Sequence, residues 1–257
     1  MFKNAYENED RAEAYARLKF PGTYYLAYRD LPSVFRKYVG GNLALDFGCG
    51  AGRSTRFLGK CGFRAVGIDI ADEMLVEARK LDPDGDYRLI KDGDFSSFER
   101  RAYDLVFCGF PFDNIPSGPH KTALFAGLAG LLKKDGKLVL LGSTPEIYLH
   151  EWASFTTRAY PENQKARDGD GVRIINTATA DPHPVEDIRC SDEAYRAIFR
   201  EVGLEVVEML KPLASPEEPY PWVNETRIAP WVTYVLSVNG VGMCRVAEIC
   251  QDCVRTR

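Results

Sequence analysis

Short apolar runs alternate with stretches of helical period between positions 41 and 142. The runs are Leu43-Ala44-Leu45-Asp46-Phe47, Ala65-Val66-Gly67-Ile68, Tyr87-Arg88-Leu89-Ile90, Leu105-Val106-Phe107-Cys108 and Leu138-Val139-Leu140-Leu141. Most are nearly continuous rather than alternating, which predicts strands covered on both faces, as in a parallel sheet. Between them, Ala71 to Leu81 sets Met74, Leu75 and Ala78 on one side of a helix. His120 to Lys134 sets Leu124, Leu128, Leu131 and Leu132 on one stripe, with Lys133 and Lys134 at the negative end of the dipole and Gly136 as a stop. Strands and helices alternating at these lengths predict right-handed βαβ units in a doubly wound sheet.

The pattern returns near the end of the chain. Ser191 is a helix cap with Asp192 and Glu193 in the first turn, and the helix runs to about Val202 before Gly203. Two strands follow, Leu204 to Leu210 and Trp231 to Val238. Pro212, Pro216, Pro219 and Pro221 forbid a helix between them, so they are expected to pair antiparallel. The expected fold is α/β: a Rossmann-like, mostly parallel seven-stranded sheet with one antiparallel strand, plus N-terminal helices and a lid insertion. Residues 1–40 form the N-terminal helical lid, 41–238 the main domain with an insertion at 143–190, and 239–257 a tail of unassigned role. The insertion is too long for a plain connection and is read as a wall or cover for a substrate. Its Tyr148, Trp152, Phe155 and Tyr160 are spaced to share one face of a helix.

Composition narrows the function. The chain has 257 residues, with 33 Lys+Arg against 37 Asp+Glu and a net charge of -4. That balance argues against a nucleic-acid partner, which calls for a clustered basic excess. No apolar run approaches the length of a membrane span, and Met1 to Glu7 shows no apolar leader. Seven scattered cysteines read as reduced thiols in a cytoplasmic protein. Cys244, Cys250 and Cys253 fall short of a four-ligand zinc set, so no metal is expected.

Chemistry concentrates in Leu45-Asp46-Phe47-Gly48-Cys49-Gly50-Ala51-Gly52-Arg53-Ser54, the turn from first strand to first helix. Glycines there let a ligand lie against bare main chain, at the end of the sheet where open α/β folds bind ligands. Asp69, ending the second strand, has two acceptor oxygens suited to a ribose diol. Asp94, just past the third, can accept from an exocyclic adenine amine, and Phe95 can pack on the ring. A nicotinamide dehydrogenase would need glycine at position 53, where the chain has Arg53.

These motifs together resemble the class I S-adenosylmethionine-dependent methyltransferases over about residues 1–238. Asp46 to Gly52 matches the family's first motif, Gly67-Ile68-Asp69 its second and Asp94-Phe95 its adenine-contacting one. Tyr103 to Cys108 matches its fourth strand, and Leu131 to Leu138 the junction leading into its fifth. The resemblance implies S-adenosyl-L-methionine as cofactor. It implies contacts to it from Tyr15, Tyr24, Asp46, Gly48, Gly50, Gly52, Asp69, Asp94, Phe95 and Cys108. Tyr24 to Pro32, with Trp222 to Glu225 and Pro230-Trp231, is similar more loosely to bacterial natural-product methyltransferases, which implies a small-molecule acceptor. A peptide or protein methyltransferase and a non-catalytic cofactor-binding protein are the alternatives.

Methyl transfer from a sulfonium needs alignment and exclusion of water more than acid–base chemistry, although a hydroxyl or amide acceptor needs a base. Asp113, in the loop after the fourth strand, can orient or deprotonate an acceptor, or merely cap the next turn. His150, at the entrance to the insertion, is the other candidate base, with His120 and His183 as weaker ones. Phe112, Tyr148 and Trp152 are the expected walls of the acceptor pocket.

Overall fold

The computed structural model describes residues 22–116, 118–179 and 183–239. Tyr6, Tyr15 and the tail after Asn239 lie outside the described residues. The N-terminal zone opens with α1 (Thr23–Arg29) and α2 (Leu31–Tyr38). The alternating zone then gives β1 (Leu43–Phe47), α3 (Arg53–Lys60), β2 (Arg64–Asp69), α4 (Asp72–Leu81), β3 (Asp86–Leu89) and β4 (Tyr103–Gly109). It continues with α5 (Pro111–Asn114), α6 (Pro119–Ala129) and β5 (Leu132–Ser143). After the insertion come α7 (Asp192–Glu201), β9 (Leu204–Leu210) and β10 (Trp231–Val238).

Seven strands order as β3-β2-β1-β4-β5-β10-β9. All run parallel except β10, which pairs antiparallel with both β5 and β9. Strand order reverses between β1 and β4, so their carboxyl ends open the crevice in which such sheets bind ligands. The apolar runs are continuous because both faces are covered. Leu45, Phe47, Val106, Cys108, Leu138 and Leu140 pack into one cluster with α6 and α7. Ala44, Leu105, Phe107, Val139 and Leu141 pack into another with α1, α2 and α3. Successive residues of a strand therefore serve opposite cores. Ser191 caps α7 as its sequence predicts, its Oγ accepting the Ala194 N–H at 3.2 Å.

Two local expectations fail. The helix read as His120 to Lys134 ends at Ala129, where the Gly130 N–H closes onto Ala126. Leu132 instead pairs with Tyr103 and starts β5, and the Lys133 ammonium reaches Asp104 at 2.8 Å. Gly136 is part of that strand, where a Cβ would sit 2.8 Å from the Tyr103 carbonyl. Pairing with β4 overrides the helical stripe of leucines.

The insertion is β-rich rather than helical. A 3-10 turn (Pro145–Tyr148) leads to a small sheet of β6 (Phe155–Thr156), β7 (Gly171–Asn176) and β8 (Val185–Ile188), in the order β6-β7-β8. Val172 and Ile174 are buried in alternation with exposed or half-buried neighbours, which is strand periodicity. Tyr148, Trp152 and Phe155 share the cluster of Tyr24 and Trp231, but from three separate local structures. Tyr160 stands apart, with the Arg173 guanidinium 4.6 Å over its ring.

One buried carboxylate ties the N-terminal helices to this insertion. Glu225 Oε1 accepts from Thr23 Oγ1 at 2.8 Å and from the Ala153 N–H at 2.7 Å. Its Oε2 accepts the Val223 and Asn224 N–H groups at 2.8 and 3.1 Å. Trp231 Nε1 donates to the Thr23 carbonyl at 2.7 Å, completing the knot. Glu225→Ala strands all four donors and is expected to lower unfolding stability by about 3 kcal/mol, read as an earlier urea midpoint. Glu225→Gln keeps one carbonyl acceptor and should lose less.

Candidate active site

The β1–α3 turn reverses the chain tightly against the end of β2. Gly48 has φ 68° and a Cβ there would lie 2.5 Å from Pro111, so only glycine fits. Gly50, at φ 52°, donates its N–H to Asp69 Oδ2 at 2.8 Å, while Asp69 Oδ1 accepts the Ala71 N–H at 2.9 Å. Burial pushes the Asp69 carboxyl above the usual range, and these N–H groups pull it back. Beneath the turn Asp46 is fully buried, and Ser54 and Thr55 hydroxyls both donate to its Oδ2 at 2.6 Å. Its Oδ1 has no hydrogen-bond partner among the described residues, and burial pushes its pKa to about 7.

A cavity of about 190 Å³ opens over this turn. Gly48, Gly50, Arg53 and Asp69 form one part of its wall and Tyr24, Tyr28 and Phe110 another. Ile70, Met74, Ile90, Asp92, Asn114 and His120 are among the other residues that line it. Arg53 stacks on Tyr24 at 4.7 Å and Tyr28 at 5.7 Å, which places a cation against aromatic faces at the cavity edge. His120 Nε2 and Asp92 Oδ2 are 3.1 Å apart.

A second cavity, about 50 Å³, adjoins the first and shares Tyr24, Phe110 and Asn114 with it. Asp113, Ser143, Tyr148 and Asp187 supply its polar wall, and Ile147, Phe155, Ile174, Val185 and Trp231 much of the rest. Asp113 is buried and accepts the Ser143 N–H at 3.0 Å through Oδ2. Burial pushes its carboxyl up to about 6, against the pull of Ser143 and of the Lys121 charge. Tyr148 donates to Asp187 Oδ2 at 2.9 Å and Asn114 Nδ2 to Asp187 Oδ1 at 2.7 Å. Phe110, at φ 72°, is a bulky residue in left-handed conformation directly before Pro111, a strained corner at the junction of the two cavities.

The structure gathers part of the expected set. Tyr24, Gly48, Gly50 and Asp69 line the first cavity, and Asp113 and Tyr148 the second. Asp46 supports the turn from below. The other expected residues lie off both walls. Gly52 faces Tyr87, whose hydroxyl lies 2.5 Å from the position of a Cβ. Asp94 is half-buried and its Oδ1 accepts from the Ser96 N–H and hydroxyl; Asp92, across Gly93, takes the place on the wall. Phe95 packs on Phe47 with ring centroids 6.0 Å apart, and Cys108 is core. Phe112 stacks on Phe125 at 4.0 Å within that core. Trp152 is buried and donates to the Ile147 carbonyl at 2.8 Å. His150 sits at the surface, 3.1 Å from Glu146. Tyr15 lies outside the described residues. Arg53, Asp92 and Asp187 were not singled out from sequence, whereas Phe110 belongs to the Phe110–Pro116 segment after the fourth strand that sequence sets beside the methyl group; the Asp92-Gly93-Asp94 pair of acids hinted at Asp92.

Residues 45–140 match the family model described as a methyltransferase domain. Two ubiquinone biosynthesis O-methyltransferases are relatives. The one from Hydrogenovibrio crunogenus is 36% identical over 76 residues, 28% of this chain and 32% of that protein. The one from Methylococcus capsulatus is 28% identical over 188 residues, 63% of this chain and 78% of that protein. The chain thus matches about a third of the first relative's length. In fold, an S-adenosylmethionine-dependent methyltransferase from Mesorhizobium loti superposes with a TM-score of 0.59, at 16% identity, covering 84% of this chain and 100% of the other. Residues 45–140 are therefore similar to a methyltransferase domain, and the fold is that of solved methyltransferases dependent on S-adenosylmethionine.

The residues present fit that cofactor. Main chain left bare at Gly50, where a Cβ would press on the Met74 methyl at 2.9 Å, borders an anchored carboxylate on one side and a guanidinium backed by two rings on the other. Asp69→Ala removes the acceptor oxygens and the anchor of Gly50 together. It is expected to weaken S-adenosylhomocysteine binding roughly 100-fold, the loss of two hydrogen bonds to a charged group, measured by calorimetry.

Proposed function

We propose that this protein methylates a nitrogen or oxygen of a small molecule held in the second cavity. The observation that carries the reading is the junction: Tyr24, Phe110 and Asn114 belong to both cavity walls, and Asp113 stands at the acceptor side of it. The small volume, about 50 Å³, favours a small acceptor over a polypeptide end. The printed names of the two ubiquinone biosynthesis relatives support the same class.

In this reading Asp69 receives the ribose hydroxyls and the turn at Gly48 and Gly50 carries the adenosyl group. Ile70, Met74 and Ile90 flank the adenine, and Asp92 accepts from its amine. Arg53 pairs with the methionyl carboxylate. When bound, the cofactor supplies a methyl group on a sulfonium, already activated for displacement. The chain's own contribution is alignment and dryness. Tyr24, Phe110, Phe155 and Trp231 contact one another with centroids 5.0 to 5.8 Å apart, a wall that admits little water. Helices α1 and α2 and the described part of the insertion form the cover, knotted at Glu225. Asp113 accepts a proton from the acceptor, a role suited to a carboxyl lifted by burial toward neutrality.

Labelled methyl from S-adenosylmethionine is expected to enter the low-mass fraction of a metabolite extract; label found only in polypeptides would reverse the choice of acceptor. With the acceptor so obtained, the rate should fall as pH drops through about 6, where Asp113 takes up its proton. It should level off above that pH, because the ionised form is the base. Asp113→Asn should lower the rate about 100-fold and remove the acid limb; a profile that keeps the limb excludes Asp113 as the base.

A further inference from the structure

The polar wall of the second cavity has an uneven hydrogen-bond account. Its donors are already committed, and all of them point at carboxylates or a carbonyl. Tyr148 gives its proton to Asp187 Oδ2. The Asn114 amide gives one N–H to Asp187 Oδ1 at 2.7 Å and another to the Glu186 carbonyl at 3.2 Å. The Ser143 main-chain N–H donates to Asp113 Oδ2 at 3.0 Å, and its hydroxyl also serves Asp113. What this wall offers a ligand is acceptor lone pairs and negative charge.

No Lys, Arg or His is among the residues lining that cavity. One buried cation lies behind the wall rather than on it. Lys121 of α6 is fully buried, its Nζ lies 5.1 Å from the Tyr195 ring centroid, and it has no hydrogen-bond partner among the described residues. It acts on Asp113, Asp187 and Cys190 through space only. Tyr24, Phe110, Tyr148, Phe155 and Trp231 bring aromatic rings to the same cavity. Carboxylates and aromatic faces around a small space together favour a positively charged donor. A carboxylate or phosphate would face repulsion there, and a neutral hydroxyl would bring one donor and no charge.

Resting on the methyl-transfer reading above, we propose that the second cavity is a recognition site for a protonated amine, held between Asp113 and Asp187, so that the acceptor atom is an amine nitrogen. Asp113 then takes one ammonium proton: an N–H bond breaks, an O–H bond forms, and the nitrogen keeps the lone pair that makes it a nucleophile. The groups facing Asp113 during that exchange are Lys121 from α6, Tyr195 and Cys190 at α7 and its entry, and Tyr148 and Asp187 from the insertion. Lys121 favours return of Asp113 to its ionised form.

The test is calorimetry on the full chain saturated with S-adenosylhomocysteine, using benzylamine, benzyl alcohol and benzoate as probes of one shape and three charges. Benzylamine is expected to bind at least about ten-fold more tightly than either other probe, and Asp113→Asn or Asp187→Asn to remove about that factor. Asp187 supports local structure, so circular dichroism and S-adenosylhomocysteine affinity are measured on the same variants; with both unchanged, the loss reports the amine site. Benzyl alcohol or benzoate binding as tightly as benzylamine overturns the proposal, and so does absence of benzylamine binding while S-adenosylhomocysteine still binds. Failure of the wild-type chain to bind S-adenosylhomocysteine strikes the methyl-transfer reading itself, and the amine assignment with it.

Discussion

The hydrogen bonds that Asp69 accepts from the Gly50 and Ala71 N–H groups are the constraint on which the site rests. They join the turn after β1 to the end of β2, the two strands whose ends form one side of the switch point. A carboxylate that accepts main-chain N–H groups fixes their direction, and a fixed turn of three positive-φ glycines leaves backbone rather than side chain facing the crevice. Asp46 repeats the device one layer down through Ser54 and Thr55, holding the start of α3 against β1. Both carboxyls are lifted by burial, so the turn is built at an electrostatic cost that the surrounding packing offsets.

The acceptor side is held differently. Tyr24 stacks on Trp231 with centroids 5.7 Å apart and meets Phe110 and Phe155 at their edges, so one ring from the N-terminal helices separates the two cavities. Nothing in α1 alone fixes that ring. Its position depends on Thr23, which Glu225, Ser154 and Trp231 grip from loops far away in the chain. The 211–230 segment is thus tied to the junction both by the Glu225 hydrogen bonds and by the packing of Ala214, Trp222 and Ile228 in the cluster of Tyr24 and Trp231.

Burial at the acceptor cavity also shapes the chemistry. Asp113 sits where solvation is poor, which raises its proton affinity toward neutrality, while Lys121 and Ser143 keep the ionised form within reach. A surface carboxylate would be a weak base at neutral pH, and a buried one with no compensating groups would stay protonated. That intermediate position suits Asp113 to the base role proposed for it.

The sequence by itself determined the seven strands of the main sheet, α4, α7, the antiparallel return of β10 and the glycine turn after β1. These follow from local signals, namely apolar period, capping residues, prolines and glycines, whose physics acts within a few residues. Tertiary structure decided the rest. Leu132 became strand because Tyr103 offered it a partner, and the aromatics of the insertion were divided among turns and strands because β7 found β6 and β8. Gly93, at φ 71°, turned Asp92 rather than Asp94 to the wall. Lys121 went into the core and His150 to the surface. Each of these outcomes depends on what residues distant in the chain place alongside, information that periodicity along one segment does not carry.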